Sequence, residues 1–322
     1  MELGFAVVLR RRVRSALVTR YLFDNWYLLL GRYALSKLGF NVKLIASIDN
    51  CTFELSPKLF ELLIRSASRR LINSISCRDN RLVINGIEIS DINDVMFKPE
   101  ILARVLGWGY DVICGCWVKA NVKFKHMYGV IPYTFDFQEY GFLKVNGRLV
   151  IDIGAFVGDS AIYFALRGAR KVIAVEPHPE AYNEMLENIR LNNLNDVIIP
   201  VNAGLASKPG KLCIENVSVE DTIGRHYKPG ECNNTVPAIT LGELISNYSI
   251  DDDNILLKMD CEGCEHDIIL NDYEHIKQIK ELVFEYHANI AGKSLFELLK
   301  ILNRDFRCNF IKKDRLIFCA RK

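Results

Sequence analysis

From Leu149 onward the chain alternates short, continuously apolar runs with amphipathic ones. No other feature of the sequence limits the possible folds so strongly. The apolar runs are LVIDIG (149–154), KVIAVEP (171–177), VIIPVNAGL (197–205), NILLKMD (254–260) and ELVFEYH (281–287). Between them lie DSAIYFALRG, PEAYNEMLENIRLNN, TLGELISNY and EHDIILNDYEHIK, each with helical spacing. A strand that is apolar along its length is covered on both faces, and strands separated by helices pair in parallel. SLFELLKILNR adds a further helix, and FRCNFIKKDRLIFCARK reads as a closing hairpin that places one antiparallel strand in the sheet. The expectation is an α/β unit built on a mostly parallel sheet.

The chain ahead of this unit reads differently. Its character changes near 126–140, which predicts a smaller α+β domain over 1–125 and the sheet domain over 126–322. NVKLIASI (41–48) is expected as a strand. SPKLFELLIRSASRRLI (56–72) is expected as a helix capped by Ser56, with Pro57 in its first turn. RLVINGIEIS (81–90) predicts a hairpin turning at Asn85-Gly86. PEILARVLGWG is expected as a short helix, and DVICGCWVKANVKF as strand. YLFDNWYLLLGRYALSKLGF (21–40) is interrupted by Asp24, Arg32 and Lys37, too soon for a spanning helix, and is expected as a half-buried helix pair. The arginines ahead of it, Arg10 to Arg20, could touch a membrane surface.

Charge is unevenly distributed. Residues 1–125 carry 19 Lys+Arg and 11 Asp+Glu, a net of +8, and the remainder carries 22 and 28, a net of −6. A basic segment suits an anionic partner, although solvated surface charge is the plain alternative. The start, MELGFAVVLRRRVR, has its apolar run before its arginines, the reverse of a secretory signal, so a cytoplasmic location is expected. Of the ten cysteines, Cys114 and Cys116 are too close for a zinc knuckle. Cys261 and Cys264 have knuckle spacing but no second such pair. Most cysteines are therefore expected as buried thiols.

The glycine turn IDIGAFVGDS (151–160) joins a strand to a helix, where backbone can approach a ligand closely. Its glycines, Gly154 and Gly158, do not make the G-x-G-x-x-G pattern of a dinucleotide site, and no Gly-Lys-Ser/Thr follows as in a phosphate loop. Asp152 stands just before the turn and argues against a pyrophosphate. It favours a ligand with a cationic near end, such as S-adenosyl-L-methionine with its ammonium and sulfonium. Ala155, Phe156, Asp159 and Ser160 complete the turn. Glu176 ends the next strand, where a carboxylate can accept both ribose hydroxyls, and Pro177 stiffens the exit. Asn202 and Ala203, after the third strand, are small enough to lie against an adenine.

LLKMDCEGCEHDII (256–269) ends a strand at the same sheet edge and gathers Asp260, Glu262, Glu265 and Asp267 around Gly263. Three readings stand: a general base for an acceptor hydroxyl, a divalent metal site on Asp260 and Glu262, or acids favouring a helix N-terminus. The metal reading is not favoured. Glu285 and His287 end the fifth strand, and His287 is a second candidate base because it titrates near neutrality.

Taken together, FDFQEYGF (135–142), the glycine turn, VIAVEPHPEAYNEMLENIRLN, VPAITLGEL, KMDCEGCEHDII and LVFEYH resemble the FkbM-type methyltransferases, a branch of the class I S-adenosylmethionine-dependent enzymes. The resemblance covers about residues 128–322. It implies a Rossmann-like, mostly parallel seven-stranded sheet with one antiparallel strand. It implies cofactor contacts from Tyr140, Asp152–Ser160, Glu176 and Asp260. It also implies O-methylation of a hydroxyl on a sugar, glycan or small metabolite, with Asp260, His287 and Glu262 as catalytic candidates. An RNA acceptor, bound through the basic first part, and a non-catalytic binding protein are the alternatives. The Asn/Asp-Pro-Pro-aromatic signature of base-amine methylation is missing after the fourth strand. Cys261 also lacks the Pro-Cys context of a covalent C5 methylation.

Overall fold

A computed structural model describes residues 15–215, 217–222, 227, 230, 232–248, 254–287, 294–312 and 315–322. It divides into two compact units, with the boundary between Tyr140 and Gly141. That boundary falls later than the change of composition near residue 126. Arg10 to Arg14 lie outside the described residues.

The first unit is α+β. A helix over Trp26–Lys37 precedes the hairpin Leu44–Ile48/Cys51–Leu55. The next helix, Pro57–Ser68, begins where the sequence places it, with the Ser56 side chain accepting from the Leu59 N–H at 3.1 Å. Two three-stranded antiparallel sheets follow, over Ile75–Ile89 and Gly109–Phe124. In the first, Ile84 pairs with Ile87 across Asn85 (φ 51°) and Gly86 (φ 82°), the two-residue turn expected of Asn-Gly. Asn85 also braces the unit from inside the turn. Its amide donates to the carbonyls of Leu71 (2.7 Å) and Val105 (2.8 Å), and its oxygen accepts from Asn73 and Ser74.

The run 21–40 meets the expected helix pair: one helix ends at Leu22 and the second spans Trp26–Lys37. In the second, Leu29 is buried and Trp26, Leu30 and Tyr33 are half-buried, while Tyr27, Leu28 and Leu35 are exposed.

The second unit carries the sheet. Its strands are β1 (Leu149–Ile153), β2 (Lys171–Val175), β3 (Ile198–Val201), β4 (Leu256–Met259), β5 (Glu281–Glu285), β6 (Phe306–Lys312) and β7 (Leu316–Arg321), in spatial order β3-β2-β1-β4-β5-β7-β6. All pairings are parallel except those of β7, which runs antiparallel to both β5 and β6. This is the Rossmann-like class I methyltransferase arrangement with its single reversed strand. The helices are α1 (Asp159–Leu166), α2 (Pro179–Leu191), α3 (Leu241–Asn247), α4 (Cys264–Asn271), α5 (Tyr273–Ile276) and α6 (Leu295–Leu302). Ile151, Ile153, Leu257, Met259, Leu282 and Phe284 lie in one buried cluster with Ile268 and Ile269 of α4 and Leu298 and Leu302 of α6. The run VIIPVNAGL splits in two. Beyond β3, Gly204–Leu205 leaves the main sheet and pairs with Thr235–Ile239 in a separate three-stranded sheet that also holds Gly210–Cys213.

The cysteine expectation is corrected. Eight of the ten form disulfides: Cys51–Cys77, Cys114–Cys116, Cys261–Cys264 and Cys308–Cys319, with Cα atoms 4.0–6.1 Å apart. Three of these pairs join neighbouring strands or turn positions, a proximity that spacing alone does not reveal.

Because Asn85 supplies both a left-handed turn residue and four hydrogen bonds, Asn85→Ala should destabilise the protein by about 2–3 kcal/mol in chemical denaturation. Asn85→Gly keeps the turn but loses the bonds, and should recover only a minor part.

Candidate active site

The order β3-β2-β1-β4 means that the chain leaves β1 in one direction and returns to its other side at β4. Ligands bind in the crevice at such a reversal. Gly154 ends β1 with φ +73°, and a Cβ placed there would stand 1.9 Å from the carbonyl oxygen of Asp260. The Asp260 N–H donates to the Ile153 carbonyl at 3.0 Å. The N–H groups of Gly154 and Ala155 both donate to the Val175 carbonyl. Three strand ends are thus drawn together around one glycine, and only glycine fits.

Beneath the turn, Asp152 is fully buried. Its carboxylate accepts from Ser160 Oγ at 2.6 Å and pairs with Lys258 Nζ at 2.9 Å. Asp152 and Lys258 are register partners on the adjacent strands β1 and β4. Lys258 also donates to the Gly154 carbonyl at 2.8 Å. Burial would depress the Lys258 ammonium, but the charges of Asp152 and Asp260 outweigh it and raise its pKa. This corrects the electrostatic expectation drawn from sequence. Asp152 does not present a bare negative charge to a ligand. A lysine that the sequence does not single out neutralises it, and it shapes the turn from below.

Glu176 is buried at the end of β2. One carboxylate oxygen accepts the Phe156 N–H at 2.9 Å and the other the His178 N–H at 2.8 Å. Burial raises its pKa to about 7, although both backbone donors pull it down. Each oxygen keeps a lone pair for a further donor, so the carboxylate fits a vicinal diol. Phe156 holds φ +49° so that its N–H reaches Glu176, which ties the glycine turn to β2. Gly158 (φ +85°) opens α1, where Asp159 and Ser160 are buried.

A small apolar slot opens beside Glu176, and its lining includes Ile153, Val175, Pro177, Ala203, Leu212 and Tyr227. Pro177 and Ala203 stand where the sequence puts them. Asn202 does not line the slot but acts as a brace. Its amide donates to the carbonyls of Glu176 (3.0 Å) and Pro177 (3.2 Å) and so fixes the exit of β2. Leu212 and Tyr227 carry no signal in the sequence, because they come from the small second sheet and the segment after it. Tyr140 belongs to the first unit, where it is buried.

Past the slot, the ends of β4 and β5 surround one imidazole with carboxylates. His287 Nδ1 lies 3.2 Å from Glu265 Oε1, and Nε2 lies 3.1 Å from Glu262, 3.6 Å from Asp260 and 3.7 Å from Glu285. Burial lowers the His287 pKa, but the Glu265 hydrogen bond and the charges of Glu265, Glu262 and Asp260 raise it to about 9. Glu265 is fully buried and accepts the N–H groups of Cys261 (2.9 Å) and Gly263 (2.8 Å), so it also holds the turn that carries Glu262 at φ +53°. Burial and the neighbouring Asp260 raise Glu285 to about 7, with Arg315 opposing them. Asp267 stands apart, accepting from the Ser207 N–H (2.7 Å) and hydroxyl (2.8 Å).

Asp260, Glu265 and His287 bring ligand atoms within 4.8 Å of one another, a spacing that a cation could use. One feature opposes that use: the surrounding carboxylates favour the protonated imidazole, which cannot ligate a metal.

Residues 152–311 match the model of the methyltransferase FkbM domain. This part of the chain belongs to the FkbM methyltransferase family. Among curated proteins, the hexuronic acid methyltransferase AglP of Haloferax volcanii is 25% identical over 148 residues, 46% of this chain and 59% of that protein. A tRNA(Phe) (4-demethylwyosine(37)-C(7)) aminocarboxypropyltransferase of Pyrococcus horikoshii is 23% identical over 152 residues, 43% of this chain and 53% of its own. The chain therefore spans little more than half the length of these relatives. A solved FkbM methyltransferase from Methylobacillus flagellatus KT aligns over 56% of this chain and 45% of its own, at 18% identity and a TM-score of 0.38.

Two measurements check the geometry of the FkbM domain. Lys258→Met leaves Asp152 buried without its partner and should cost about 3–5 kcal/mol in denaturant unfolding, whereas the pair Asp152→Asn with Lys258→Met should recover much of that loss. Glu176 binds its proton more tightly in the folded protein than at its ordinary pKa of 4.5. Its contribution is therefore complete below that value and disappears as pH rises through about 7. Between about pH 5 and pH 8 the melting temperature of the ligand-free protein should fall more for the natural chain than for Glu176→Gln.

Proposed function

We propose that this chain transfers a methyl group from S-adenosylmethionine to a hydroxyl on a sugar, glycan or other small metabolite. The observation that carries the reading is one continuous sheet edge. There a glycine turn, a buried carboxylate, an apolar slot and an acid–imidazole cluster follow one another across β2, β1, β4 and β5. Glu176 suits a ribose, the apolar side chains of Pro177 and Ala203 suit contact with the face of an adenine, and Gly154 admits a ligand against bare backbone. S-adenosylmethionine supplies an electrophilic methyl group when bound.

Asp260 is the proposed base. It is partly exposed, follows β4 directly and lies farther from the imidazole than Glu262 does. A His287 that holds its proton near neutrality does not serve as a free base. It serves as the cation that favours the ionised form of Glu265 and faces Glu262 and Asp260. The acceptor's proton passes to Asp260 as its oxygen–carbon bond forms and the sulfur–carbon bond breaks. The name of the Haloferax relative favours a sugar acid as acceptor. The +8 charge of the first 125 residues would also hold RNA, and the name of the Pyrococcus relative keeps that acceptor as the second reading. A cytoplasmic location belongs to this proposal.

Calorimetry with S-adenosylhomocysteine tests the reading. The natural chain should bind it, and Glu176→Ala should weaken binding by about a hundredfold through loss of two charge-assisted hydrogen bonds. Absence of binding by the folded natural chain would overturn the proposal. With an accepted hydroxyl substrate in hand, Asp260→Asn should lower kcat by about a hundredfold or more.

A further inference from the structure

The Trp26–Lys37 helix has two apolar faces. Trp26, Leu29, Leu30 and Tyr33 point toward the first unit and are buried or half-buried. The opposite face carries Leu28, Gly31, Leu35 and Leu38, spaced as one stripe along the helix and its C-cap, with Tyr27 beside them. Leu28 is 49% exposed, Leu35 42% and Leu38 75%. A surface helix normally turns polar residues outward; one that is apolar all round is covered by something. Leu17 and Tyr21 on the preceding helix and Phe40 after this one are also exposed.

The charge around this face identifies its cover. Arg32 lies on the outer face and Arg20 on the preceding helix is exposed, while Lys37 is paired with Glu61. In sequence, the first 43 residues contain eight basic residues against two acidic ones, Glu2 and Asp24. Exposed leucines with tyrosines and a surplus of positive charge form the combination that settles at a lipid headgroup boundary: the apolar side chains enter, the aromatic rings sit at the interface and the cations meet anionic headgroups. A basic patch for RNA has no use for a row of exposed leucines, since a phosphate backbone is read by cations and polar groups. No described helix is long and apolar enough to cross a membrane, so the contact is one of lying on the surface.

We infer that this face docks the protein on an anionic lipid bilayer. The inference is independent of the methyl-transfer reading. Co-sedimentation of the full chain with vesicles tests it, using phosphatidylcholine alone and phosphatidylcholine mixed with phosphatidylglycerol. The protein should pellet with the anionic vesicles, and added salt should weaken the association. Leu28→Glu with Leu35→Glu should reduce binding about tenfold or more, and Arg32→Glu should reduce it on the anionic vesicles, both without loss of thermal stability. Failure of the natural chain to pellet with anionic vesicles would overturn the inference, as would binding that the double variant leaves unchanged. So would a dimer seen by sedimentation velocity, or an RNA complex seen by gel shift, that Leu28→Glu with Leu35→Glu abolishes while vesicles remain unbound.

Discussion

The second unit depends on the junction between β1 and β4. Gly154 lies so close to the Asp260 carbonyl that no side chain fits between them, and the buried Asp152–Lys258 pair locks the two strands immediately below. A buried ion pair is seldom a net gain in stability, because desolvation offsets its attraction. Here it contributes geometry. Lys258 bonds the Gly154 carbonyl as well as Asp152, so a single ammonium fixes the strand register and the shape of the turn. Everything the edge offers a ligand is placed from this junction: Phe156 reaches Glu176, Asp260 reaches the mouth, and Glu265 follows within one turn.

The same economy governs the acid cluster. Four carboxylates around one imidazole would repel each other if they were equally placed. They are not. Glu265 is buried and satisfied by backbone, Glu285 is shared with Arg315, and Glu262 is closest to Nε2. Asp260 keeps the most exposed side chain of the four. The Cys261–Cys264 disulfide closes the short turn that presents Glu262 and Gly263 in left-handed backbone, and so stiffens the cluster at its base.

Much of this was legible in the sequence. The alternation of apolar strands and helices forces a parallel sheet. Gly154, Glu176, Pro177, Asp260 and His287 occupy the edge where a β-α alternation must bring strand ends together. What the sequence concealed was charge pairing across strands. Lys258 reads as an ordinary lysine inside an apolar run until β4 is known to lie beside β1. Asp152 then changes from a ligand-facing acid into a buried partner. Asn202 looked like lining and proved to be a brace, because its amide finds two carbonyls at the exit of β2. Leu212 comes from a second sheet that the run VIIPVNAGL did not announce, and Tyr227 from a segment between two of its strands. Disulfides were missed because pairing depends on Cα proximity. The outward leucines of Trp26–Lys37 were missed because periodicity shows that a face is apolar, not whether it is covered.

In the proposed reading, the β1–β4 junction and Glu176 together form the seat of the methyl donor. Amide hydrogen exchange with and without S-adenosylhomocysteine tests it most directly. The account predicts that the ligand slows exchange in 153–160, 175–178 and 259–264 and leaves the strands β6 and β7 unchanged. Protection that avoids these three segments, or binding without any protection in them, would contradict it.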